Sequence, residues 1–77
     1  MNKQRRKMLS MLSEQLESIN EDLANVLREE EDARDNTPEN LQETERYEQM
    51  EEACDNLEEA SEYIDSAIES IAATIGE

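Results

Sequence analysis

The side chains in this sequence that are capable of polar chemistry are mostly carboxylates. Seven of them, Glu48, Glu51, Asp55, Glu58, Glu62, Asp65 and Glu69, succeed one another at steps of three and four. On a helix this spacing keeps successive residues on one side. Glu45, Glu52 and Glu59 run beside them, and no Lys or Arg falls within the stripe. Like charges at these spacings cost a helix about 0.2–0.5 kcal/mol per pair, so six successive pairs cost about 1–3 kcal/mol at low salt. Two readings explain such a cost. Either the charge serves solubility, or the stripe meets a basic surface on another macromolecule. Carboxylates one turn apart stand about 6 Å apart along the axis, whereas a DNA duplex presents about one charge per 1.7 Å over both strands. Two parallel stripes would approach that density, so DNA mimicry is physically sound. Direct binding of nucleic acid is not, because the net charge of −15 repels phosphate.

Other chemistry is excluded by composition. The 77 residues contain no His, one Cys, one Gly and one Pro. A His/Cys zinc site and a His-based triad are therefore absent, as are a P-loop, a dinucleotide fingerprint, an EF-hand loop and an intrachain disulfide. Glu29-Glu30-Glu31-Asp32 and Glu51-Glu52-Asp55 have the charge to attract a divalent cation but lack the glycine turn and carbonyl ligands of a dedicated loop. Acid/base carboxylate pairs need a cleft, and a thin helical protein has none. The chain reads as non-catalytic, with no metal and no cofactor. Cys54 lies between Met50 and Leu57 and reads as a small buried hydrophobe rather than a redox thiol. Tyr47 and Tyr63 are the only aromatics. Tyr63 falls outside the apolar line among acids, either as surface or as an interface anchor.

The elements that position the stripe follow from apolar periodicity. Leu9, Leu12, Leu16, Ile19, Leu23 and Val26 alternate steps of three and four, the signature of a helix with one apolar seam, here over about 4–34. A second seam runs Tyr47, Met50, Cys54, Leu57, Ser61, Ile64, Ile68, Ile71 and Ile75, over about 44–75, with Ser61 its one polar member. Ala53, Ala60 and Ala67 widen this second face, which suits a helix with more than one neighbour. Residues 35–43, around Pro38, break the phase and read as a connector with room for one helical turn. A short connector favours antiparallel neighbours whose residue numbers sum to roughly 80. Leu9 then faces Ile71, Ile19 faces Ser61, and Val26 faces Cys54.

The expected fold is all-α, a single antiparallel two-helix hairpin of coiled-coil type. Chains of this size rarely bury enough surface alone, so dimerisation into a four-helix bundle is expected, through Ala53, Ala60, Ala67, Leu57, Ile64, Ile68 and Ile71. No apolar run reaches the roughly 18 residues of a membrane span. Met8 to Leu12 is too short for a signal core, and a lone thiol suits a reducing compartment, so a cytoplasmic setting is expected. Charge is segregated along the chain: residues 1–12 carry +4, residues 13–38 carry −7 and residues 39–77 carry −12. The basic start, Lys3, Arg5, Arg6 and Lys7, opposes the helix dipole. Its expected counterparts are Glu69, Glu77 and the terminal carboxylate, or a dimer mate; the competing reading is a basic arm that touches nucleic acid.

The connector Asp35-Asn36-Thr37-Pro38-Glu39-Asn40-Leu41-Gln42, the start Lys3-Gln4-Arg5-Arg6-Lys7 and the stretch Met50 to Ala60 resemble small acidic coiled-coil proteins of phages, prophages and plasmids of Gram-positive bacteria. The similarity spans most of the chain, and the connector is its distinctive part. The resemblance implies a mobile-element setting, where small acidic proteins often inhibit host defence or DNA-processing enzymes. The expected function is thus a DNA-mimic inhibitor of a basic nucleic-acid-binding surface, of anti-CRISPR or anti-restriction type. The alternative is a structural or assembly adaptor whose apolar face joins a partner helix.

Overall fold

The computed structural model describes residues 1–76, so Glu77, one expected counterpart of the basic start, lies outside them. Two long α-helices, α1 (Lys3–Asp35) and α2 (Glu45–Ile75), flank a single 3₁₀ turn at Glu39–Leu41. Together they make an antiparallel hairpin measuring 59 × 15 × 13 Å. Among the described residues there is no strand, and no helix is long and apolar enough to cross a membrane.

Local chemistry sets the ends of the helices. The Asn2 side chain accepts from the Arg5 N–H at 2.8 Å and caps α1, whose first turn contains no acid. Thr44 caps α2 by accepting from the Tyr47 N–H at 3.3 Å, and the same hydroxyl donates to the Leu41 carbonyl at 2.7 Å. Glu45 and Glu48 occupy the first turn of α2, where negative charge meets the positive end of the dipole. Thr37 closes the end of α1 by donating to the Ala33 carbonyl at 2.9 Å, and it also contacts the Met50 sulfur at 3.7 Å. Pro38 lacks an N–H and is extended, which starts the 3₁₀ turn rather than a continued helix.

The seam of α2 lies where its periodicity placed it, with Tyr47, Met50, Leu57, Ser61, Ile64, Ile68, Ile71 and Ile75 half-buried and Cys54 fully buried. The seam of α1 does not. Its half-buried line is Arg6, Leu9, Ser13, Leu16, Asn20, Leu23, Leu27, Glu30 and Arg34. Leu12, Ile19 and Val26, expected in the seam, are 45, 53 and 51% exposed. The expected facing of Ile19 and Ser61 is replaced by a polar layer. The Ser61 hydroxyl donates to Asn20 Oδ1 at 2.8 Å, while Asn20 Nδ2 donates to Asp65 Oδ1 at 2.8 Å. The pairs Asn20–Ser61, Asn20–Asp65 and Thr37–Met50 have residue numbers summing to 81, 85 and 87, so the register lies beyond the expected value of roughly 80.

Rotation of α1 about its own axis explains the difference. Leu9, Leu16 and Leu23 belong to both phases. The observed phase adds Leu27 and matches the polar Ser61 with the polar Asn20. The expected phase would have buried the Ser61 hydroxyl against Ile19 with no partner, at a cost of about 1–3 kcal/mol.

Asn20→Ala removes both bonds of this layer and strands the Ser61 hydroxyl. We expect a loss of about 1–3 kcal/mol in urea unfolding. Replacing Asn20 and Ser61 together with Leu should raise the midpoint instead, while relaxing the register.

Candidate functional site

The hairpin has two unlike flanks: α2 defines each with a line of its own residues, and the new phase of α1 extends both. In an antiparallel pair, residues just before one set of seam positions share one side, and residues just after the other set share the opposite side. Two open hollows display this arrangement. Glu17, Glu21 and Ala24 of α1 gather with Asp65 of α2 in one. Ala33 of α1 gathers with Arg46 and Gln49 of α2 in the other.

The first flank is anionic. Glu48, Glu51, Asp55, Glu58, Glu62, Asp65 and Glu69 are all exposed and lie on one uninterrupted helix. At 1.5 Å per residue the stripe is about 32 Å long, close to one duplex turn of about 34 Å. Its mean spacing, about 5.3 Å between charges, is wider than the 3.4 Å of one DNA strand but of the same order. Asp65 has a second task, since it accepts from Asn20 across the seam. The sequence had offered only α2 for this face; α1 adds Glu17 and Glu21 beside Asp65. Their position follows from the phase of α1 and was visible only once Asn20 was paired with Ser61.

Little within the described residues neutralises this charge. The one ion pair among them joins Arg34 to its neighbour Asp35 at 3.1 Å, where the hydrogen bond to Asp35 raises the guanidinium pKa. No group of three or more acidic or thiol side chains among them converges as a cation site.

Tyr63 is 67% exposed, and its hydroxyl donates to Glu59 Oε1 at 2.8 Å. That bond, followed by partial desolvation and the charge of Glu62, raises the phenol pKa. Cys54 is 0% exposed. Burial raises its thiol pKa, the nearby Arg34 opposes the shift, and Glu30, Glu31 and Asp55 add to it. At the closed end of the hairpin, Pro38, Leu41, Tyr47 and Met50 line an open apolar hollow of about 430 Å³.

The second flank is apolar. Leu12, Ile19 and Val26 each precede a seam residue of α1 and lie open on this side. Ala53, Ala60 and Ala67 each precede a seam residue of α2 and are half-buried on the same side. Leu57, Ile64, Ile68 and Ile71, also expected at an oligomer interface, are half-buried seam residues.

No protein-family model, curated protein or solved structure matches this chain.

The buried thiol of the seam and the exposed phenol have separate pH signatures. Because the folded-state pKa of Cys54 is raised, its contribution to stability is complete below the unfolded thiol pKa and is lost as pH rises through the folded value. Alkylation of Cys54 should therefore be slow at mildly alkaline pH and accelerate with urea. For Tyr63, an alkaline absorbance titration should show one phenol ionising late, and Glu59→Gln should bring it back toward an ordinary tyrosine.

Proposed function

We propose that this protein is a non-catalytic, acidic protein-binding module whose anionic flank occupies a basic, nucleic-acid-binding surface of another protein. The observation that carries the reading is the uninterrupted line from Glu48 to Glu69, seven exposed carboxylates on one continuous helix with no cation among them. A groove built of Lys and Arg to track a phosphate backbone recognises charge at this spacing and over this length. Glu17 and Glu21 broaden the same face. The setting we assign is the cytoplasm of a Gram-positive host carrying a phage, prophage or plasmid, and the target class is a CRISPR or restriction nuclease. The acting unit is a homodimer in which two hairpins form a four-helix bundle, because within one hairpin only Cys54 is fully buried among the described residues. Tyr63, beside Glu59 and Glu62, supplies an aromatic contact at the edge of the stripe.

A second reading has its own support. The exposed Leu12, Ile19 and Val26 suit an assembly adaptor that binds a partner helix through its apolar flank.

Charge reversal separates the two. Replacing Glu51, Asp55, Glu58 and Glu62 with Lys moves the net charge from −15 to −7, by two units at each of four positions. The expected outcome is unchanged helicity by circular dichroism and loss of competition with duplex DNA for a nuclease retained on the immobilised protein. Competition by the parent protein should fall steeply as salt rises, because exposed charges more than about 8 Å apart are screened at physiological ionic strength. If charge reversal leaves binding intact while Ala53, Ala60 and Ala67→Glu abolishes it, the adaptor reading replaces the mimic.

A further inference from the structure

We propose that the apolar flank of α1 is the contact between two copies of this chain, with the helices antiparallel and the two-fold axis at Ile19. This deepens the proposed pairing of two hairpins and does not depend on the identity of any target.

The argument begins with symmetry. Leu12, Ile19 and Val26 are spaced by seven, half exposed, and on one side of α1. Reversing a second α1 about Ile19 sets Ile19 against its own copy and Leu12 against Val26 in both directions. Every exposed large apolar residue of this line then meets another, as an isologous two-fold contact requires. Gln15 and Asp22 lie on the same side, about one turn from Ile19 in either direction, and the reversal brings Gln15 within one residue, about 1.5 Å along the axis, of Asp22 of the second copy.

Charge selects the same direction. Arg5 continues this line at one end and Ala33 at the other, with Glu29 on the same side about one turn beyond Val26. The reversal sets Arg5 level with Ala33 of the second copy and about 6 Å, one turn, from that copy's Glu29, within reach of a long guanidinium side chain. Lys3 to Lys7, the only net-positive stretch of the chain, comes level with residues 31–35 of the second copy, where Glu31, Asp32 and Asp35 outweigh Arg34, itself paired with Asp35, to leave a net charge of −2. A parallel arrangement would set the basic starts side by side and Glu29 to Asp32 against themselves. The antiparallel contact thus gives the basic start of α1 a counterpart. Arg5, Arg6 and the two lysines have no ion-pair partner among the described residues of their own chain.

Room is available on α2 as well. Ala53, Ala60 and Ala67 border this flank with methyl groups, which lets a second hairpin settle close. The anionic stripe faces the opposite way and stays open in the pair.

Sedimentation equilibrium of the full chain should give twice the 8.9 kDa monomer mass. Ile19→Glu should return it to monomer with helicity retained, since Ile19 is 53% exposed in the hairpin. The orientation is read by oxidation. Ile19→Cys should form an interchain disulfide. Leu12→Cys should not, because its two copies stand about 21 Å apart, whereas Leu12→Cys with Val26→Cys should. The parent protein serves as the control, with Cys54 buried. Arg5→Glu removes two symmetry-related pairs and should weaken the dimer up to about thirty-fold, and adding Glu29→Arg should recover it. A monomer at all concentrations, an Ile19→Cys dimer that does not cross-link, a Leu12→Cys protein that does, or a dimer indifferent to Arg5→Glu overturns the proposal. DNA competition is measured separately from dimerisation: a chain that stays monomeric and still competes keeps the stripe reading and loses only the paired acting unit, whereas a dimer that does not compete loses the stripe reading.

Discussion

The phase of α1 about its own axis governs what this hairpin presents to its surroundings, and one polar layer holds that phase. Ser61 is the only polar residue in the otherwise apolar line that α2 brings to the seam. Its hydroxyl needs an acceptor, and Asn20 Oδ1 provides one at 2.8 Å. The Asn20 amide then needs an acceptor of its own and finds Asp65 at the seam's edge. A net bond is worth only about 0.5–1.5 kcal/mol, but leaving either group unpaired costs more. Rotating α1 by one position would break both bonds together. A small energy therefore fixes a large consequence: Leu12, Ile19 and Val26 face outward rather than into the seam.

That consequence explains how a chain with so much repulsion holds together. The acids of α2 cost stability along their own helix, and the described residues contain a single ion pair to set against them. What opposes the repulsion is the leucine and isoleucine seam, together with capping at Asn2 and Thr44. In a slender hairpin this is a thin margin, since only Cys54 is wholly removed from water among the described residues. Small domains usually close such a gap by association. An apolar flank left uncovered along one side of the rod is the form this need takes here.

Much of the architecture was legible in the residues. Both helices, Lys3–Asp35 and Glu45–Ile75, follow from periodicity and the break at Pro38. The 3₁₀ turn at Glu39–Leu41 occupies the expected connector, with its room for one helical turn. The acidic line on α2 was legible because one helix alone defines it. The phase of α1 was not, because two seams, one through Leu12, Ile19 and Val26 and one through Ser13, Asn20 and Leu27, share Leu9, Leu16 and Leu23. Counting apolar residues favours the first. Matching polar with polar across the layer favours the second, and the unpaired hydroxyl of Ser61 decides between them. Glu17 and Glu21 were missed on the anionic face for the same reason, since their side of α1 depends on that choice.

The placement of opposite chemistries on opposite flanks has a further consequence. A protein that both self-associates and binds a basic surface must keep the two contacts from competing. If the alanine line and the carboxylate line shared a side, pairing would bury charge at a cost of several kcal/mol per ion. Here the seam lies between them. The polar layer ties the two sides together, because Asp65 belongs to the stripe while its partner Asn20 directly follows Ile19 in α1. The same hydrogen-bonded triad thus holds Glu17 and Glu21 on the side of the stripe and the apolar line of α1 on the other, so loss of the triad would disturb both proposed contacts.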